Sequence, residues 1–167
     1  MSDSRGKVAD YSHTFGNIEA KLYAFRVNSA QLGQVHKEWL NEHLVPMLSE
    51  GGAVTVLGEA SRSGSRKLNL DLSKRRAQSV IMHLRQAVGA RLRSCDATVF
   101  EVEKPHGVGE SAAAEAGQRD GTEDAFYRAV RISAWQKKVA PAPPPPKPPP
   151  TKRVRRVTSR RWHSTDT

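Results

Sequence analysis

The sequence predicts a two-layer α/β sandwich of order β-α-β-α-β-β, with two main helices on one face of a mixed, four-stranded sheet. Three observations carry this. Apolar residues recur at helical spacing over 35–48 and again over 77–88. Short β-branched and aromatic runs lie before, between and after those stripes. Beyond Trp135 the composition changes abruptly to proline and then to positive charge.

Residues 1–18 show no period and are read as a flexible N-terminal arm. Residues 20–28 (AKLYAFRVN) alternate, with Tyr23, Phe25 and Val27 on one side, and read as the first strand. Val35, Trp39, Leu40, Leu44 and Leu48 then form a helical stripe near 33–49. Pro46 sits late in that helix, where its missing N–H predicts a distorted last turn. Gly51 and Gly52 end it. His36 and His43 lie seven apart, and without a third ligand they are read as ordinary histidines.

Residues 53–57 (AVTVL) form the second strand and lead into the loop 58–72. Ser73 reads as the N-cap of the second helix, at about 73–88. Ala77, Val80, Ile81, Leu84 and Val88 are its core stripe, and Gly89 its stop. Lys74, Arg75 and Arg76 would then stand in the first turn. They would be either an anion site or a solvated basic turn paired with Asp71 or Glu59. Residues 96–103 are the third strand, 105–124 a loop-rich insertion with a short helix at its alanines, and 126–135 the last strand. The first two β-α units are expected to make right-handed parallel crossovers.

Charge divides the chain. Of the net +10, residues 137–167 carry +8, so the body is nearly neutral. Residues 137–150 read as a proline-rich linker in polyproline II, and 151–167 as a basic disordered tail able to contact anionic polymers. Cys95 is the sole cysteine, which excludes an intrachain disulfide. No apolar run approaches the ~20 residues of a transmembrane helix. The first fifteen residues hold no hydrophobic leader core, so no signal peptide is read and the compartment stays open. No catalytic motif is present, neither G-x-S-x-G nor H-E-x-x-H, and Glu101 and Glu103 read as one solvated strand face. The expectation is a non-enzyme with no cofactor and no metal.

Residues 58–80 carry a specific spacing: Gly58, Gly64, Asn69, Leu72, Ser73, Arg76, Ala77 and Val80. It resembles, without a gap, the loop-and-helix signature of the OmpA-like (OmpA/MotB C-terminal) peptidoglycan-associating domain. Gly107-Val108-Gly109-Glu110 resembles the family's G-x-G-E, and Arg128, Val130 and Ile132 its closing strand. The resemblance covers about 20–135, giving a domain at 19–136. The departure is the family's T-D pair, which here is Ala60-Ser61.

The resemblance implies a peptidoglycan ligand, the bacterial cell envelope, and a pocket in which the Asp holds an ammonium of diaminopimelate and the helix Arg its carboxylate. Carried over by position, the ligand-binding residues are Ser61, Asn69, Arg76 and Arg128. Ser61 cannot neutralise an ammonium, so the expected binding of a carboxylate-bearing stem peptide centres on Arg76 and is weak. Ser61→Asp is expected to strengthen it. Glu59 is two residues from Ser61 and does not simply take its place. The alternative is the same scaffold redeployed to bind a protein or an anionic polymer with help from the tail.

Overall fold

A computed structural model describes residues 5–14, 16–93, 100–102 and 106–136. The expectations for the linker, the tail and Cys95 lie outside the described residues.

The chain runs β1 (Lys7–Thr14), β2 (Asn17–Tyr23), α1 (Gln34–Trp39), α2 (Val45–Ser49), β3 (Gly52–Glu59), α3 (Arg66–Leu92), β4 (Phe100–Val102), β5 (His106–Gly107), α4 (Ser111–Glu115) and β6 (Ala129–Gln136). The sheet is mixed and has six strands rather than four, in the order β1-β2-β6-β3-β4, with β5 also paired to β3. Pairings β1–β2, β2–β6 and β6–β3 are antiparallel, and β3–β4 and β3–β5 are parallel. The last strand therefore inserts between β2 and β3. The expected first parallel crossover does not join neighbouring strands.

The expected arm is a strand over 7–14. β1 is an edge strand with no buried side chain, so it lacks the alternation that would announce it. It turns into β2 through Gly16, whose φ is +81°. β2 starts at Asn17 and stops at Tyr23, because Ala24 takes a left-handed φ of 60° that breaks the extended run.

The first helical stripe does face the core: Leu40, Leu44 and Leu48 are fully buried. α1 and α2 are joined by a π turn, Leu40–Leu44, that ends just before Pro46. Proline has no N–H to give and crowds the carbonyl four residues back. The wider turn, closed by the Val45 N–H on the Leu40 carbonyl, absorbs that defect.

α3 begins at Arg66 and not after Ser73, the expected cap. Its N-cap is Ser65, whose Oγ accepts the Leu68 N–H at 3.3 Å. Gly89 lies inside the helix, which ends at Arg93 in a left-handed conformation. The apolar stripe is as read: Ala77, Val80, Ile81, Leu84 and Val88 are all buried. They pack with Ile18, Leu22, Val54, Val56, Val130 and Ile132 from alternate sheet positions into one core.

Close approach of α3 to β3 explains part of the matched spacing. A Cβ at Gly58 would stand 1.7 Å from the Ser73 carbonyl oxygen, so only glycine permits this contact. Ser73 is a mid-helix latch. Its Oγ donates to the Leu70 carbonyl at 2.7 Å and accepts the Gly109 N–H at 2.9 Å. That bond, with Ala60 N–H to the Gly109 carbonyl at 2.7 Å, ties the 107–110 turn to the start of the loop after β3.

Candidate functional site

The loop Ala60–Ser65 leaves β3, and Ser61 lies at its start, 4% exposed. Arg128 lies just before β6, after a 3-10 turn over Ala125–Tyr127. The two meet at a third group. The Glu123 carboxylate accepts hydrogen bonds from Ser61 Oγ at 3.1 Å, from Ser63 Oγ, and from Arg128 Nη1. Arg128 Nε donates to the Phe25 carbonyl, which fixes the fork from behind.

Arg76 lies well inside α3 and not in its first turn, and its side chain is 0% exposed. Its guanidinium donates to three backbone carbonyls: Nε to Ser29 at 3.0 Å, Nη1 to Glu59 at 3.0 Å and Nη2 to Arg26 at 3.3 Å. It thereby joins α3, the end of β3 and the loop after β2. Burial lowers its pKa to about 10, the charge of Arg128 adds to the fall, and Glu123 opposes it. Arg76, Arg128 and Glu123 are therefore one electrostatic unit with two cations and one anion.

Burial raises the Glu123 carboxyl, and the hydrogen bonds from Ser63, Arg128 and Ser61 outweigh it, together with the charge of Arg128. The net result is a pKa below the ordinary carboxylate value. Glu123 stays ionised, and its side chain remains 34% exposed.

Asn69 does not join this unit. Its Nδ2 donates to Glu110 Oε2 at 2.7 Å. Glu110 faces Arg66 at 3.5 Å and Arg62 at 3.8 Å, forming a second polar cluster. A cavity of about 350 Å³ opens there, lined by Arg62, Arg66, Leu70, Val108, Glu110 and Ala114 among others. The four residues expected together thus fall in two groups: Ser61, Arg76 and Arg128 in one, Asn69 in the other.

Glu59, the last residue of β3, lies on the sheet face opposite Val54 and Val56, as alternation predicts, while Ser61 is beyond the strand end. The Glu59 carboxylate pairs with Lys21 Nζ at 2.8 Å and Arg131 Nε at 3.1 Å. Lys21 is covered by the Phe126 ring, 3.7 Å from its centroid. In the basic turn, Arg75 pairs with Asp71 at 3.4 Å, an ordinary surface pair one helical turn apart.

Sequence reading missed Glu123 and Ser63. Glu123 sits in a loop without periodicity, and it reaches Ser61 only through the folding together of segments 62 residues apart. No group of three or more His, Cys, Asp or Glu able to hold a metal ion occurs among the described residues. No helix among them is long and apolar enough to cross a membrane.

No protein-family model matches the chain, and no curated protein matches it in sequence. Solved structures do match in fold. The OmpA-like domain of FopA1 from Francisella tularensis superposes with a TM-score of 0.52 at 20% identity, covering 80% of this chain and 82% of that one. The periplasmic domain of Helicobacter pylori MotB superposes with a TM-score of 0.50 at 12% identity, covering 79% of this chain and 88% of that one. The chain has the OmpA-like fold.

Proposed function

We propose that this protein is a non-catalytic binding module of the bacterial cell envelope that takes up a carboxylate-bearing cell-wall peptide beside Ser61 and Arg128. Arg76 lies behind them and contributes its charge, and Asn69 holds the neighbouring rim through Glu110. The single observation that carries the reading is that this corner already holds a carboxylate, that of Glu123. A forked cation and a hydroxyl converging on one carboxylate is the chemistry that such a ligand needs. The spacing of residues 58–80 and the OmpA-like fold support the cell-wall class. The absence of an acid at position 61 supports weak binding.

Sedimentation of the full chain with purified peptidoglycan tests this, beside the chain truncated after Trp135. Pelleting by both forms, competed by a soluble diaminopimelate-containing stem peptide, is the expected outcome. Pelleting that requires residues 137–167 and vanishes with salt would favour the second reading, a scaffold redeployed for a protein or an anionic polymer. The +8 charge of 137–167 is the observation behind that reading.

A further inference from the structure

Glu123 belongs to the chain, yet it is bound as a ligand would be. Its three donors come from two other places, the loop after β3 and the start of β6. Oε1 takes Ser61 and Arg128, and Oε2 takes Ser63. A carboxylate offers about four acceptor positions, so this carboxylate is nearly fully engaged. The Arg128 guanidinium meets this carboxylate, while the buried Arg76 guanidinium is engaged by three backbone carbonyls, so the corner accepts an anion. One anion satisfies it, and a second would meet the first.

The segment that delivers Glu123 is held by few groups. Gly121 N–H donates to the Arg62 carbonyl at 2.9 Å, and Arg62 Nη1 donates to the Gln118 carbonyl at 2.5 Å. Gly117 and Gly121 have φ of +81° and +79°, and nothing lies within 4 Å of where a Cβ would stand on either. Asp120 also faces Arg62 Nη2 at 3.7 Å, and Ala24 N–H holds the Ala125 carbonyl at 2.9 Å just beyond. The Glu123 carboxylate, with three donors, makes the segment's largest set of side-chain hydrogen bonds.

We propose that Ser61, Ser63 and Arg128 form an exchangeable carboxylate site, filled in the free protein by Glu123 and in the complex by a carboxylate of the bound peptide. This rests on the function proposed above and adds the step that limits it. Each donor that leaves Glu123 is taken up by the incoming carboxylate, so hydrogen bonds are conserved in the exchange. What opposes the ligand is the tether. An intramolecular competitor on a short segment acts at an effective concentration of order millimolar. A ligand has to outcompete it, which by itself makes a peptide carboxylate bind weakly, without reference to the residue at 61.

The test is titration of the full chain with a soluble diaminopimelate-containing stem peptide, wild type against Glu123→Gln and Glu123→Ala. Both variants remove the competing charge and leave Ser61, Ser63 and Arg128 in place. The expected result is binding at least tenfold tighter than wild type, with a slower off-rate. Equal or weaker binding by a variant that melts cooperatively, while the wild type binds, overturns the exchange and leaves the proposed function standing. Absence of binding by wild type and variants alike at millimolar peptide overturns both. Should both variants fail to fold, the wild type decides through carbon-13 NMR of its glutamate carboxyls. Saturating peptide should return the Glu123 carboxyl toward an ordinary titration, and an unmoved Glu123 signal at saturation overturns the exchange.

Discussion

Arg76→Ala is first of all a stability variant, and its size can be worked out. The side chain is fully buried and serves the carbonyls of Ser29, Glu59 and Arg26. The Glu59 carbonyl, buried, costs about 1–3 kcal/mol if left unpaired, while those of Ser29 and Arg26 are part-buried and the Arg26 carbonyl keeps the Ser29 N–H at 3.1 Å, so they add less. Removing the guanidinium stem leaves a cavity as well, while relaxation and entering water recover part of the loss. The net expectation is a loss of about 3–5 kcal/mol, against a total stability of about 5–15 kcal/mol for a domain. At about 2–4 °C per kcal/mol, the melting midpoint falls by about 6–20 °C. Arg76→Lys should recover less than half, since one ammonium cannot reach three carbonyls placed around a planar fork. Urea unfolding of the full chain by far-UV circular dichroism measures both. A loss below about 1 kcal/mol for Arg76→Ala would refute the argument that these carbonyls depend on this side chain. Loss of peptide binding in Arg76→Ala is informative only after this measurement, because a partly unfolded domain binds nothing.

Three other outcomes are expected. Gly58→Ala should destabilise the domain by about 3 kcal/mol or abolish folding, because its Cβ would overlap the Ser73 carbonyl of α3 and backbone has little room to move; a neutral urea midpoint would contradict the close approach. Ser61→Asp would set a second carboxylate against Glu123, whose Oε1 is 3.1 Å from Ser61 Oγ, so the geometry reverses the expectation of simple strengthening. The variant should lose about 1–2 kcal/mol at neutral pH, and Ser61→Asp with Glu123→Gln should regain it; equal stability of single and double variants would show that the two positions do not share one charge. His36 is buried, and that burial lowers its pKa below 6.5. Its Nε2 donates to the Tyr23 carbonyl at 2.7 Å and its Nδ1 accepts the Gly33 N–H at 3.2 Å, so the folded ring is neutral. The unfolded chain then takes up the proton first: this stability is fully present above the unfolded value of 6.5 and is lost as pH falls below it. The His36 share of the slope should be at most about 1.4 kcal/mol per pH unit and should be lost in His36→Gln, leaving only that of His83, whose pKa burial and Lys37 also lower; a flat wild-type profile between pH 6.5 and 5 would refute it.

Most of the strand and helix periods were legible in the sequence. They depend on local geometry, and local geometry repeats every two or 3.6 residues. The core stripe from Ala77 to Val88 was readable for that reason. The edge strand β1 was not, because an edge strand with no buried side chain has no reason to alternate. Nor was the start of α3, where Ser65 and Ser73 are equally good caps by type. Only the contact of Ser73 with Gly109 makes it a latch. The candidate site shows the same division. Ser61, Arg76 and Arg128 were named through the family resemblance, but what each side chain does is decided by partners far away in the chain. Arg76 meets carbonyls 47 and 50 residues before it, and Ser61 meets Glu123 62 residues after it. Whether a cation is buried behind a site or open to a ligand is a matter of which segments fold over it. Residue order does not record that, and the tertiary structure alone decides it.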